Sequence, residues 1–160
     1  MAEPDIDLVA HIAELTRSTE AGAALVTAAT IDRYLMMLLL CAMRALSPGI
    51  AQRIFENYGP LYELGPKADI AFAFKLIDER TLGSIRAIKE IRNEFAHAGE
   101  LVHFNSPTIL AKCQALPGFK KDVNARELFD KIAVECIRSN RRQNWRIHIR
   151  RGFESRAIAR

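Results

Sequence analysis

Apolar residues recur at steps of three and four along most of this chain, the spacing that places them on one face of an α-helix. The pattern is clearest over residues 84–99, SIRAIKEIRNEFAHAG. Its apolar stripe consists of Ile85, Ile88, Ile91, Phe95 and Ala98, and its polar face of Arg86, Glu90, Asn93 and His97. Gly99 follows where a helix is expected to end. We therefore predict an amphipathic helix here.

The same spacing predicts about seven helices in all. The predicted ranges are 5–17, 18–46, 48–57, 67–77, 78–99, 106–116 and a last helix from 124 to about 142, with N-caps at Ser47, Asp78, Ser106 and Asn124. Two Gly-Pro pairs make 58–66 a turn region. Residues 100–105 and the alternating segment 145–149 favour extended backbone. The predicted fold class is all-α, a helical bundle with room for one short extended segment near the C-terminus.

The helix predicted over 18–46 is the most apolar part of the chain. Asp32, Arg33 and Arg44 interrupt it, and the uninterrupted apolar run is about half of the roughly 20 residues that a membrane span needs. We therefore predict a central bundle helix rather than a membrane segment. Its apolar positions exceed what one core-facing stripe needs, so we also expect a homodimer that packs through this helix.

Composition is that of an ordinary soluble domain, with 26% charged and 49% hydrophobic residues. The three cysteines, Cys41, Cys113 and Cys136, are widely spaced and form no C-x-x-C pattern. They are typical of small core residues in a reduced protein. The start, MAEPDID, lacks the basic and apolar regions of a signal peptide. A cytoplasmic location is the expectation.

Positive charge is concentrated at one end of the chain. Residues 138–160 carry a net charge of +7, which leaves −3 for the rest. We divide the chain into a helical domain, 1–143, and a basic extension, 144–160. Arginines interleaved with Trp145 and Phe153 can contact phosphates and stack on bases. The candidate nucleic-acid-binding residues are Arg141, Arg142, Arg146, Arg150 and Arg151. A solvated tail is the alternative, and no helix-turn-helix accompanies the arginines, so any contact should be weak and sequence-indifferent.

Arg92, Asn93 and His97 bring a cation, an amide and a titratable imidazole close together. As a metal-independent ribonuclease site, His97 would act as general acid/base on a ribose hydroxyl and Arg92 would stabilise charge on the phosphate. Asn93 would orient one or the other. In the structural alternative, Arg92 pairs with a core carboxylate such as Asp32 or Glu20, and His97 bonds a loop carbonyl. On an ideal helix Arg92 and His97 lie about 140° apart, whereas Asn93 and His97 lie about 40° apart.

Other chemical motifs are missing from the sequence. The four histidines and three cysteines show no metal-ligand spacing, and no H-E-x-x-H occurs. Glycine-rich phosphate loops and a G-x-S-x-G elbow are also missing. We predict neither a metal nor a cofactor.

The segment from Arg92 to His97 resembles the R-x4-H motif of the HEPN superfamily of small α-helical domains. A longer series of segments resembles the mannitol operon repressor (MtlR) family. These segments are Ser18–Leu25, Asp32, Gly59-Pro60-Leu61, Ile91–His97, His103–Pro107, Cys113 and Leu116. The positions carried over from the motifs are Glu20, Gly22, Asp32, Arg92, Asn93, Phe95 and His97.

The MtlR resemblance implies a transcriptional regulator of sugar-alcohol uptake. Because the chain has no recognisable DNA-reading motif, such a regulator would act through a protein partner in a transcription complex. The HEPN resemblance implies the alternative, a toxin-like ribonuclease whose site is completed across a dimer. A purely structural helical interaction module is the third possibility. The non-enzymatic regulator is the interpretation that we favour.

Overall fold

The computed structural model describes residues 19–98 and 102–139. This part of the chain is helical and contains no strand, so the all-α prediction is confirmed. In chain order the helices are α1 (Glu20–Ala42), α2 (Pro48–Phe55), α3 (Leu64–Ala73), α4 (Glu79–His97), α5 (Pro107–Cys113) and α6, which runs from 125 to the last described residue, 139. The helix predicted over 5–17, Gly99 and the alternating segment 145–149 lie outside the described residues.

Helix ends follow the predicted capping chemistry at two of the four positions. Asp78 accepts the Thr81 N–H at 2.7 Å. Hydrogen bonding to the Thr81 side chain, and then to its backbone N–H, lowers the pKa of the Asp78 carboxyl. Asn124 accepts the N–H groups of Arg126 and Glu127 at 3.0 and 3.2 Å. Ser47 and Ser106 occupy the N-cap positions but make no capping hydrogen bond with their side chains.

Helix α3 begins earlier than predicted, at Leu64 instead of Lys67. Pro66 was predicted to lie in a turn, but Pro66 is the third residue of α3. A proline is tolerated in the first turn because the N–H that it lacks has no partner within the helix. Lys67 therefore also lies in the first turn of α3, which positions it for the contact described below.

The core forms where α1 packs against α3 and α4 and where α4 packs against α5. Its fully buried side chains include Ile31, Leu35, Leu38 and Leu39 of α1 and Ile85, Ile88 and Ile91 of α4. Burial of each such side chain contributes about 1.5–3 kcal/mol. The predicted stripe of α4 is thus the buried face, with only Ala98 half-buried at its end.

Helix α1 is also long and apolar enough to cross a membrane by length and composition alone. Core helices of soluble proteins pass the same test. Here α1 buries Ile31, Leu35 and Leu38 against its neighbours, and Asp32 lies in an ion pair at its middle. The packing agrees with the prediction of a central bundle helix.

Candidate interaction site and charged clusters

Lys67 is the one charged residue that is fully buried within residues 19–98 and 102–139, with 2% of its surface exposed. Its Nζ donates to Asp32 Oδ1 and Oδ2 at 2.8 and 2.7 Å and to the Tyr62 carbonyl at 2.9 Å. These three acceptors match the three N–H donors of an ammonium group. A buried charge is tolerated when it is paired and hydrogen-bonded in this way. Lys67 therefore fastens α1, α3 and the loop before α3 together.

This geometry corrects the expectation for Arg92. Arg92 was the expected partner of Asp32 or Glu20, but Lys67 is the partner of Asp32, and Arg92 is exposed. No signal in a single sequence connects positions 32 and 67, because their contact depends on how α1 packs against α3. The structural alternative for Arg92 is wrong in this form.

Glu20 fastens a second loop. Its carboxylate accepts the backbone N–H of Phe104 at 2.6 Å and lies 3.6 Å from Nδ1 of His103. The Phe104 ring packs against Phe95 at 5.0 Å and Phe129 at 5.1 Å between centroids. Glu20, Phe95 and the 103–107 segment, which carry part of the MtlR resemblance, therefore meet at one end of the bundle. Their contacts there are structural.

Arg126 covers the same aromatic cluster. Its guanidinium carbon lies 5.4 Å from the centroid of the Phe104 ring, and its Nε donates to Asp130 at 2.8 Å. Burial raises the pKa of the Asp130 carboxyl, and the bond and charge of Arg126 oppose that shift. Arg126 Nη2 is buried without a hydrogen-bond partner in the described part of the chain. The Phe104 ring makes a favourable cation–π contact with one face of the Arg126 guanidinium.

The Arg92, Asn93 and His97 cluster lies on the surface at the C-terminal end of α4. Arg92 and His97 are exposed, and Arg92 Nη1 donates to the Asn93 side-chain oxygen at 3.0 Å. No hydrogen bond joins His97 to either residue among those the structure describes. The helix does not unwind near Ala96, since α4 is helical through His97. The bond to Asn93 does draw the Arg92 head towards the helix face that His97 shares.

The loop between α2 and α3, residues 56–63, is held rigidly. Its backbone hydrogen bonds run from Gly59 N–H to Glu56 O, from Leu61 N–H to Ile54 O and from Tyr62 N–H to Gly59 O, at 2.8 to 3.0 Å. A Cβ at Gly59 would lie 2.6 Å from the Ile54 carbonyl oxygen and closer still to that of Arg53. Only glycine fits there.

Two tyrosines project from this loop, which we call the tyrosine loop. Tyr58 is 91% exposed and Tyr62 is 48% exposed, and their ring centroids are 5.4 Å apart. Asn57 and Tyr58 have φ of +49° and +59°, a left-handed conformation that is unusual for a residue as bulky as tyrosine. The Gly59-Pro60 pair predicts the turn, but the helical spacing of apolar residues gives no prediction for the two tyrosines. The sequence does contain one signal, because a tyrosine lies close to this Gly-Pro pair on each side.

Cysteine chemistry and metal binding add little to this picture. Cys113 and Cys136 are buried, and burial raises their thiol pKa values to about 11 and 12, so both are neutral at pH 7. Cys41 is half-buried. Within the described ranges, no three His, Cys, Asp or Glu side chains are placed to hold a metal ion. The five candidate arginines of the basic extension, Arg141 to Arg151, lie outside those ranges.

No protein-family model and no curated protein matches this sequence. Its fold is similar to that of a chain in the X-ray structure of the MtlR–HPr complex from Escherichia coli. The TM-score is 0.63 at 15% sequence identity, and the match covers 81% of this chain and 94% of that chain. The likeness shows a shared fold over nearly the whole of the other chain. At this identity it does not carry residue roles from one chain to the other.

Proposed function

We propose that this chain is a non-enzymatic cytoplasmic regulator that acts by binding a protein partner, as a mannitol-operon-repressor-like protein. The observation that carries the proposal is the fold similarity to a chain from the MtlR–HPr complex, which spans most of both chains. That structure is of a complex between two proteins, MtlR and HPr. The resemblance of the sequence segments to the MtlR family points the same way. A regulator whose sequence has no recognisable helix-turn-helix would affect transcription through contacts with a protein partner.

The proposal is tested by isothermal titration calorimetry of the full chain with HPr from the same organism. We expect saturable binding with Kd in the micromolar range or tighter. The matched control replaces Arg141, Arg142, Arg146, Arg150 and Arg151 with glutamine. Binding through the helical domain should survive this change. Absence of binding, or binding that the five replacements abolish, would contradict the proposal.

The second candidate, a metal-independent ribonuclease, is favoured by one observation. Arg92 and His97 are both exposed. Arg92 donates a hydrogen bond to Asn93, which lies on the same face of the helix as His97. We nevertheless expect purified protein to leave single-stranded RNA intact in EDTA. The reason is that, among the described residues, no hydrogen bond orients the His97 imidazole relative to Arg92 for general acid/base catalysis. Cleavage that disappears in folded His97→Ala protein would reverse this ranking.

Two further parts of the proposal concern association. Leu25 and Val26 of α1 are each 36% exposed, and we propose that a homodimer covers this face. Light scattering at micromolar concentration should show twice the monomer mass. We also propose that the basic extension makes weak nucleic-acid contacts, which should fall steeply with salt because arginine–phosphate contacts release counterions.

A further inference from the structure

We infer that the tyrosine loop is a docking surface for a lysine or arginine side chain on a protein partner. The inference rests on the proposed function in one respect, that the chain works through a protein partner. It goes further by naming the surface and the chemistry of the group that the surface receives. Three features of the loop support the inference: its rigidity, its exposed aromatic rings and its carboxylates without ion-pair partners. A comparison with a second exposed aromatic pair supports it further.

Rigidity comes from contacts on both sides of the loop. Gly59 packs directly against the α2 backbone, and the Tyr62 carbonyl accepts a hydrogen bond from the buried Lys67 ammonium. Leu61, between them, is buried. A loop fixed before binding loses little conformational entropy when a partner arrives, so more of the contact energy appears as affinity.

The exposed aromatic area is of the kind that binding partners use. Tyr58 has almost its entire side chain in solvent, in a left-handed backbone conformation that is retained only where the surrounding structure enforces it. Tyr62 lies beside it with its ring tilted by 46°. Tyrosine is enriched among the residues that dominate binding energy in protein interfaces. The fold thus holds an anchor-type residue outward although this conformation is unfavourable.

Charge selects the class of partner. Glu56 and Glu63 belong to the same loop, two positions before Tyr58 and one after Tyr62, and both are exposed. Within residues 19–98 and 102–139 neither carboxylate takes part in an ion pair. With the neighbouring exposed Arg53, this set has a net charge of −1. Tyrosine faces attract ammonium and guanidinium groups, and the carboxylates reinforce that preference. They would repel the phosphates of a nucleic acid or an anionic membrane, although bases could stack on the rings.

A second exposed aromatic pair supplies the contrast. Phe72 and Phe74, at the end of α3, are 41% and 58% exposed. The residue beside them is Lys75, an exposed cation with φ of +58°. Both phenylalanine rings are exposed, as the tyrosine rings are, but the neighbouring Lys75 would repel a cationic side chain. This pair is therefore a matched control for the tyrosine loop.

The first experiment compares binding of HPr by the full chain, by Tyr58→Ala/Tyr62→Ala and by Phe72→Ala/Phe74→Ala. We expect at least about a tenfold loss of affinity for the tyrosine variant and less than about twofold for the phenylalanine variant. Binding that survives the loss of both tyrosines overturns the inference and leaves the proposed function standing. If the unaltered chain does not bind HPr, the proposed function fails, and the second experiment decides the inference.

The second experiment needs no protein partner. Ring signals of Tyr58 and Tyr62 are followed by NMR as the full chain is titrated with acetyl-arginine amide and, separately, with its neutral isostere acetyl-citrulline amide. We expect saturating shifts for the arginine compound that are at least about threefold larger than for the citrulline compound. In Glu56→Gln/Glu63→Gln protein this difference should shrink to less than half.

Equal shifts with the two compounds, or no shift with either, would overturn the inference. So would a change of the free Tyr58 and Tyr62 signals when the five arginines of the basic extension are replaced by glutamine. That result would identify the occupant as the chain's own extension. Ring shifts produced by a short single-stranded RNA, larger than those produced by the arginine compound, would favour a nucleic-acid surface instead.

Discussion

In the described part of the chain, the clusters around Lys67 and Arg92 each combine a cation with an amide or carbonyl group, but one cation is buried and the other is exposed. Around Lys67, the cation is buried and all three of its donors are used, by Asp32 and the Tyr62 carbonyl. Around Arg92, the cation is exposed and bonds only its neighbour Asn93 among the described residues. The difference shows which cation is committed to folding and which is available to a ligand. The motif from Arg92 to His97, which the sequence presents as a candidate site, contains the exposed cation.

The first prediction concerns the buried cluster and has the largest expected effect. Lys67→Met keeps the volume of the side chain but leaves Asp32 and the Tyr62 carbonyl without their partner. We expect the free energy of unfolding to fall by about 3 kcal/mol, at the lower end of the range for broken buried pairs because the Asp32 side chain is 32% exposed to solvent. Urea unfolding measures it. A loss below about 1 kcal/mol would remove the contrast between the clusters.

The second prediction compares Gly59, in the loop that Lys67 supports, with Gly49 at the start of α2. Gly59→Ala forces a methyl group against the α2 carbonyls, so we expect a loss of about 1–3 kcal/mol and altered Tyr58 and Tyr62 ring signals. Gly49→Ala is the control, since a Cβ there meets nothing within 4 Å and the residue lies in α2. The control should be neutral or stabilising by up to about 1 kcal/mol. Similar losses at both positions would show that the loop is not tightly held.

The third prediction concerns the exposed cluster and has the smallest expected effect. Arg92→Ala should change the free energy of unfolding by less than about 0.5 kcal/mol, because the side chain is exposed and pairs with no carboxylate in the described part of the chain. Thermal unfolding at two protein concentrations checks this and separates folding from association. A loss of several kcal/mol would restore Arg92 as a structural residue.

Much of the fold followed from local sequence rules, and the cluster around Lys67 did not. The three-and-four spacing of Ile85, Ile88 and Ile91 identified the buried face of α4, because a helix puts those positions on one side whatever it packs against. Asp78 and Asn124 were recognised as caps for the same reason, since a cap acts within its own turn. The extents of α1 and α3 were less accurate, because end positions depend on neighbouring contacts.

The candidate site depended on contacts between distant positions. Asp32 and Lys67 meet only because α1 packs against α3, and Glu20 meets Phe104 across 84 positions of sequence. The sequence pattern favoured Arg92 as the partner of Asp32, whereas helix packing places Lys67 beside Asp32. Tyr58 was overlooked because its exposure follows from a left-handed turn, which residue type alone does not indicate.

The central claim is that Asp32 is held by Lys67 while Arg92 is left on the surface. Two double-mutant cycles test it most directly, with urea unfolding of the full chain as the measurement. One cycle combines Lys67→Met with Asp32→Leu, and the other combines Arg92→Met with Asp32→Leu. We predict a coupling energy of at least about 1.5 kcal/mol in the first cycle and less than about 0.5 kcal/mol in the second. Additive effects in the first cycle, or a coupling in the second as large as the one predicted for the first, would contradict the account.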